Sequence, residues 1–277
     1  MHDGPGLRTT VFFAGCPASC KWCHNPETKT SEPKVMFYEN RCIGCGKCRE
    51  VCNLKENEKC ISCGNCVKIC PNKARVFSSY NISAKEIINI SLKDSAFYGE
   101  NGGVTISGGE PTYQFSALTE LLKLAHKSGL NTCVESCGFF SADKVEKLAE
   151  HTDFLLFDIK DTDQARLMQN TGIPLQSVLA NLLLYDQTGK DYAIRCILIP
   201  EINLTKAHAK SLCRIYSKLQ NCKYIELLPY HPYGIAKSNS LGITQNEYKK
   251  PTENELFSFA EVLIKKSIPV KLHGSML

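Results

Sequence analysis

Three cysteines near the start of the chain, Cys16, Cys20 and Cys23, are spaced C-x3-C-x2-C within the segment GCPASCKWCH. Thiolates this close on one loop can hold one face of an iron–sulfur cubane, which has four irons and normally takes four cysteines. The local motif supplies three, so one iron is left for a ligand that is not cysteine. An open metal position marks catalysis, whereas a closed one marks structure or electron transfer.

Eight further cysteines form an internal repeat. Cys42, Cys45, Cys48 and Cys52 are followed by Cys60, Cys63, Cys66 and Cys70, the last preceding Pro71. This is the bacterial ferredoxin pattern for two [4Fe–4S] clusters, in which the fourth cysteine of each run ligates the other cluster. Cys42, Cys45, Cys48 and Cys70 would then share one cluster, and Cys60, Cys63, Cys66 and Cys52 the other. A pair of zinc sites would also use C-x2-C pairs, but two complete repeats ending in Cys-Pro favour iron. Asn53, not proline, follows Cys52, which matters little because proline is not a ligand. The remaining five, Cys133, Cys137, Cys196, Cys213 and Cys222, are scattered over predicted strands and helices. Buried cysteine there behaves as a small apolar residue, and no role is assigned to them.

Composition narrows the setting. The 277 residues are 43% apolar and 22% charged, enough for a sizeable core in one large α/β domain or two smaller ones. A formal charge of +5 with no basic run gives no sign of nucleic acid. No apolar stretch reaches membrane-spanning length and no signal peptide is evident, so the expected location is the cytoplasm. With 16 cysteines grouped rather than dispersed, the reading is metal chelation in a reducing, oxygen-poor (anaerobic) setting rather than a disulfide framework.

These residues need a scaffold to position them. Residues 2–8, HDGPGLR, make a tight loop, although composition alone favours a disordered terminus. Residues 9–14 read as a first buried strand, and the three-cysteine loop leaves its end. Ser83 and Glu86 form a capping box opening a helix to residue 98. Strands are predicted at 103–107, 131–135, 153–158, 192–199, 223–228 and 268–272. Helices are predicted at 114–128, 141–151, 174–187, 205–219 and 252–266. Strands separated by helical crossovers imply a parallel sheet. Six such strands before the last are too few for a closed eight-fold barrel. The predicted fold is α/β, a partial (β/α)6 TIM-like barrel with an inserted 2[4Fe–4S] ferredoxin-like unit. Residues 1–41 would start the barrel, 42–78 form the insert, and 79–277 complete the barrel. Sites in such folds gather at the C-terminal strand ends, where the three-cysteine loop sits.

The second barrel strand ends in Ser107-Gly108-Gly109-Glu110-Pro111. Paired glycines leave backbone groups bare for a ligand's close approach, and Glu110 adds an acceptor. Alone, GGEP would be an ordinary turn before a helix; one strand over from the three-cysteine loop, it reads as part of a binding site.

C-x3-C-x2-C together with GGEP resembles the radical S-adenosylmethionine (SAM) superfamily. More narrowly, HDGPGLRTTVFFAGCPASCKWCHNPE, FDIK at 157–160 and ELLPYHPYG at 226–234 are similar to the activating enzymes of glycyl radical enzymes. The likeness runs from His2 nearly to the C-terminus. Most of that family share the eight-cysteine insert, and the pyruvate formate-lyase type lacks it. Family members usually carry another strand and loop before HDGPG, and this chain starts almost at that motif.

The resemblance implies that Cys16, Cys20 and Cys23 bind three irons of a catalytic [4Fe–4S] cluster, one of three clusters in all. The amino and carboxylate groups of SAM would chelate the fourth iron. Gly108, Gly109 and Glu110 would receive the SAM amino group, with Arg195 and His231 as further SAM-site residues. Asp158 and Lys160 would form a D-x-K motif, and their spacing of two places both on one strand face. Asp158 with Glu135 and Ser136 would lie beside a monovalent cation, and Asp3 near a peptide substrate. The implied partners are a glycyl radical enzyme and a flavodoxin or ferredoxin electron donor, the protein itself being a monomer. An electron, passing through the insert clusters, would let SAM be cleaved to methionine and a 5′-deoxyadenosyl radical. That radical would take a Cα hydrogen from one glycine of the partner.

Three rivals share part of this pattern. A radical SAM enzyme acting on a small molecule, or one maturing another protein as sulfatase maturases do, would share the first motif and GGEP. HDGPG and LLPYH speak against both. A plain ferredoxin-like electron carrier would leave the six-strand scaffold and the three-ligand cluster without a purpose. Trp22 and His24 flank the cysteines and read as packing or hydrogen-bonding residues, since a fourth protein ligand would block SAM. Tyr230 reads as core.

Overall fold

The computed structural model describes residues 3–54 and 58–277; His2 lies outside them. Among the described residues there are ten strands: β1 (Arg8–Phe13), β2 (Val35–Phe37), β3 (Arg75–Phe77), β4 (Gly103–Gly108), β5 (Asn131–Ser136), β6 (Phe154–Asp158), β7 (Tyr192–Leu198), β8 (Cys222–Pro229), β9 (Val270–Leu272) and β10 (Ser275–Met276). Eight of them form one sheet in the order β1-β4-β5-β6-β7-β8-β9-β10. All neighbours in it are parallel except the final β9–β10 pair. The crossovers carry helices α3 (Ala84–Ser91), α4 (Phe115–Lys127), α5 (Val145–Glu150), α7 (Leu175–Gln187), α8 (Lys206–Tyr216) and α10 (Glu253–Ile264). The sheet ends on β1 and β10, which do not pair, so it is open, as six βα strands require.

Strand alternation sorts the apolar residues into two layers. Outward residues such as Ile106, Val134, Leu155, Phe157 and Ile194 pack against Leu118, Leu122, Leu182, Leu212 and Leu263 from the helices. Inward residues Cys133, Phe154, Leu156 and Ala193, with Tyr224 beside them, make a separate small cluster. That inner cluster fills the lower half of the interior and leaves the upper half to polar side chains. Cys133 and Cys196 are fully buried, Cys137 and Cys222 nearly so, and Cys213 is half-buried.

The loop before β1 is ordered by specific bonds over the described residues. Arg8 donates from its guanidinium to Thr105 Oγ1 (2.8 Å), Val104 O (2.8 Å), Asn131 O (3.0 Å) and Pro5 O (2.9 Å). Thr105 Oγ1 donates to Asp3 O at 2.6 Å. Gly6 adopts φ 70°, and a Cβ there would stand 2.5 Å from Gly102 N. The disordered-terminus alternative therefore does not apply to residues 3–7.

Several elements depart from the sequence expectation. The helix expected over 83–98 is α for one stretch and then tightens to a 3-10 turn at Leu92–Phe97; that over 141–151 opens with a 3-10 turn at Ala142–Lys144. Outside residues 42–78, two helices were not foreseen, α6 (Gln164–Thr171) and α9 (Tyr233–Ser240). Both are only eight residues long, too short for a clear apolar period.

Within 42–78 the two cysteine runs have matching backbones. Helices α1 (Lys47–Glu50) and α2 (Asn65–Ile69) each follow a left-handed glycine, Gly46 (φ 75°) and Gly64 (φ 80°). Two residues earlier, Gly44 and Ser62 are also left-handed, and their N–H groups donate to Cys42 Sγ (3.5 Å) and Cys60 Sγ (3.4 Å). The segment joins the barrel through the antiparallel β2–β3 ribbon, which the sequence reading lacked.

After β6 the chain turns through Asp161, fully buried, whose carboxylate accepts from Arg166 Nε (2.6 Å), Arg166 Nη2 (2.7 Å) and Thr162 N (2.7 Å). His208 of α8 is buried against Phe259 and shares a 2.7 Å hydrogen bond between Nδ1 and Thr162 Oγ1. Burial pushes its imidazole down to about 4. The unfolded chain, at about 6.5, takes a proton that the folded one refuses. Stability is thus complete above about pH 6.5 and lost as pH falls toward 4, by roughly 3 kcal/mol from this group. His208→Gln should flatten the pH dependence of the urea midpoint in that window.

Candidate active site

The three-cysteine loop leaves β1 and is held by backbone on several sides. Gly15 N donates to Thr28 O (2.7 Å) and Cys16 N to Lys29 O (3.1 Å). Ser19 N and Lys21 N donate to Thr171 O (2.8 Å) and Asn170 O (3.0 Å), carbonyls that the end of α6 leaves unpaired. From the other flank, Lys237 of α9 donates to Asn25 Oδ1 (2.8 Å) and Glu27 Oε1 (2.6 Å), and Gln245 Nε2 to Cys23 O (2.9 Å). Gly234 starts α9 hard against the loop, since a Cβ there would lie 2.3 Å from Cys23 O. The two barrel helices missing from the sequence reading, α6 and α9, are the ones that brace the loop. The signals that could have found them are the Asp163 N-cap with the left-handed Gly172 C-cap, and Gly234 after His231-Pro232.

Cys20 is buried, while Cys16 and Cys23 are half-buried. Burial pushes the Cys16 thiol up to about 12 and raises Cys20 and Cys23 as well. Bare thiols in this pocket keep their protons, so only a cation that replaces those protons makes them thiolates. All three line a cavity of about 680 Å³ at the C-terminal ends of the strands, which also meets Asp3, Ser136, Lys160 and His231.

Gly108 and Gly109 line this cavity; Glu110 does not. Protein backbone also comes close to the paired glycines on the side a Cβ would occupy. A Cβ on Gly108 would lie 2.6 Å from Phe13 O, and one on Gly109 2.4 Å from Gly15 O. Glu110, almost fully buried, turns into the strand ends. Its carboxylate accepts from Thr112 Oγ1 (2.7 Å), Ser136 Oγ (2.9 Å) and Cys137 N (2.8 Å). It therefore stitches β4 to β5 beneath the cysteine loop.

A polar row crosses the cavity at the strand ends. Ser107 Oγ donates to Glu135 Oε2, Arg195 Nη1 to Glu135 Oε1 (2.8 Å), Arg195 Nε to Asp158 Oδ1 (2.9 Å), and Lys160 Nζ to Asp158 Oδ2 (3.1 Å). Burial alone would raise Asp158, but Arg195 and Lys160 outweigh it and hold the carboxyl below its ordinary range. For Glu135 burial wins over Arg195, and the pKa is raised. The carboxylates of Glu135 and Asp158, expected beside a monovalent cation, share the Arg195 guanidinium between them. His231 packs edge-on to His24 with centroids 4.2 Å apart, and Tyr233 lies 4.4 Å beyond. Burial, with His231 and Lys237 nearby, pushes His24 down to about 4, so it is uncharged at neutral pH. Trp22 and Tyr230 are buried at the rim of the same cavity.

The eight insert cysteines lie apart from this cavity. Cys42, Cys45, Cys48 and Cys70 line one recess together. Cys70 Sγ accepts from Ala74 N at 3.2 Å, and the backbone N–H groups of Arg75, Ala74 and Asn72 lower its pKa. Arg75, beside it, has a buried Nε with no hydrogen-bond partner among the described residues, as suits a donor awaiting an anionic group. Among the described residues, no three His, Cys, Asp or Glu side chains draw close enough to hold a single metal ion. The donors at each position are all cysteines, the residue type that holds iron–sulfur clusters.

Residues 10–210 match the family model of the radical SAM superfamily. The choline trimethylamine-lyase activating enzyme of Oleidesulfovibrio alaskensis is 36% identical over 260 residues, covering 87% of this chain and 84% of that one. The trans-4-hydroxy-L-proline dehydratase activating enzyme of Clostridioides difficile is 31% identical over 290 residues, covering 99% and 96%. Among solved structures, a domain of the pyruvate-formate lyase-activating enzyme of Bacteroides vulgatus superposes with a TM-score of 0.54 at 23% identity, over 62% of this chain and 99% of that one. That likeness speaks to the fold. No helix among the described residues is long and apolar enough to cross a membrane.

Proposed function

The chain belongs to the radical SAM superfamily and, within it, to the activating enzymes of glycyl radical enzymes, and from that membership we propose how its residues divide the work. Cys16, Cys20 and Cys23 hold the [4Fe–4S] cluster that binds SAM. When bound, that cluster supplies the electron that splits SAM, and the 5′-deoxyadenosyl group released takes a Cα hydrogen from one glycine of the partner enzyme.

Everything else is positioning. Gly108 and Gly109 let the cysteine loop seat on the end of β4, and Glu110 locks that seat from below. Asp158, kept ionised by Arg195 and Lys160, offers SAM a fixed carboxylate, with Ser136 and His231 along the same wall. A monovalent cation near Glu135 and Asp158 would have to compete with Arg195. Asp3, at the cavity's edge, meets the partner's peptide. The protein thus contributes orientation and the exclusion of water around a reactive species.

Residues 42–78 act as a ferredoxin-like unit with two more clusters, one on Cys42, Cys45, Cys48 and Cys70 and the other on Cys60, Cys63, Cys66 and Cys52. A flavodoxin or ferredoxin is the electron donor, and the chain works as a monomer in the reducing cytoplasm.

The observation that carries this reading is the single cavity shared by the three cysteines and the strand-end residues Ser136, Asp158, Lys160, Arg195 and His231. Anaerobic protein given dithionite and SAM should release 5′-deoxyadenosine, and adding the partner should give a glycyl radical signal in electron paramagnetic resonance. Reconstituted protein should carry about twelve irons. An electron carrier would release no nucleoside, and a small-molecule enzyme would leave the partner without a radical.

A further inference from the structure

Among the described residues, one end of the insert faces away from the barrel. The β2–β3 ribbon begins and ends at the barrel with the pair Val35 and Phe77, and its far end is Phe37 opposite Arg75. The recess of Cys42, Cys45, Cys48 and Cys70 is walled by Phe37 and Arg75, which puts it at the outer end. Gly64, beside Cys63, sits where a Cβ would be 2.4 Å from the Phe77 ring. Ile61 shares a groove with Phe77 and Lys34. The second cysteine run therefore occupies the inner end.

The outer recess is rimmed by Arg41, Lys47 and Arg75, and no carboxylate lines it. Arg41 lies 4.4 Å over the Tyr38 ring and Arg75 4.6 Å over Phe37, so two of these cations are held in place. Ile43, 62% exposed, and Pro71 give the rim an apolar centre. Residues 42–78 as a whole carry seven Lys or Arg against three Asp or Glu. A fixed cationic ring around a small apolar patch speeds encounter with an acidic partner and suits a contact that must also break.

We propose that this outer end is the docking face for a small acidic one-electron carrier protein. The inference rests on the reading above, under which each cleavage of SAM takes up one electron. At this face the reduced carrier loses that electron and the activating enzyme gains it, with no proton or group moving. The rival occupants are the glycyl radical enzyme and a second copy of this chain.

The test uses reconstituted protein and a reduced acidic flavin carrier, following carrier oxidation in a stopped-flow instrument. Arg41→Glu/Lys47→Glu should slow that oxidation about tenfold or more, and added salt should slow the unsubstituted protein toward the variant. Lys34→Glu, at the inner groove, should leave the rate unchanged. Lys47→Gln, a mild change at an exposed site, should give a smaller loss in the same direction with the iron count intact. Equal loss from Lys34→Glu, or none from the double variant, would overturn the docking face. So would a loss that is insensitive to salt and accompanied by a shifted cluster potential, for the cations would then serve the cluster alone. Cross-linking at Lys47 to the glycyl radical enzyme or to a second copy would also overturn it. Whether the unsubstituted protein releases 5′-deoxyadenosine with dithionite judges the underlying reading separately.

Discussion

Cys20→Ala is expected to abolish 5′-deoxyadenosine formation, a fall of at least about a thousandfold, while about eight irons per chain survive in the insert. The size follows from what the loop can and cannot do. Loss of a residue that merely orients a metal ligand costs about 10- to 100-fold, and Cys20 is a ligand itself. It is also the most buried of the three thiols, so water cannot easily stand in for it. Glu110, the nearby carboxylate, is already held by Thr112, Ser136 and Cys137 N. The loop is tied by backbone to Thr28, Lys29, Asn170 and Thr171, so it cannot fold inward to close the gap. Electron paramagnetic resonance of the reduced variant should retain the insert signals and lose the one that responds to SAM. Cleavage persisting at near its normal rate would refute the assignment of this loop.

Arg195→Met should cost about 3–5 kcal/mol of stability, the usual result of removing one partner from a buried ionic cluster. Arg195 is only 7% exposed and binds two carboxylates, on β5 and β6. Without it Asp158 retains Lys160, but Glu135 retains only Ser107 among its hydrogen bonds described above. Glu135, whose burial already raises its pKa, would take up a proton and let the strand ends part. The melting temperature should fall by roughly 6–20 °C, at 2–4 °C per kcal/mol. SAM affinity should fall with it. Arg195→Lys, which restores charge without the two-pronged geometry, should recover stability better than SAM binding. A variant as stable as the parent would show that the row is solvated rather than buried.

The cysteine spacings and the strand periodicity were legible because each is a local signal. Three thiols within one loop, two matched runs of four, and apolar runs bounded by glycine all survive translation into structure. The bracing of the site was not legible, because it depends on contacts between distant segments. Nothing local says that α9 would present Lys237 to Asn25 and Glu27, or that the end of α6 would hand its carbonyls to Ser19 and Lys21. The GGEP turn shows the same limit from the other side. Two glycines announce a close approach without saying that the backbone of Phe13 and Gly15 is among what approaches. Glu110 likewise reads as an acceptor without any sign that Thr112, Ser136 and Cys137 would be its donors. The β2–β3 ribbon escaped notice since each strand is only three residues long, below what alternation can reveal.

That short ribbon also bears on how such a chain could have arisen. Lys34 N donates to Ser78 Oγ at 2.9 Å and Ser78 N to Lys34 O at 2.8 Å, so the two crossings into the cysteine-rich segment touch. A tight turn would suffice to splice them together, with little loop entropy at stake. The segment can be regarded as a cassette, gained or shed in a single genetic event while the sheet keeps its register.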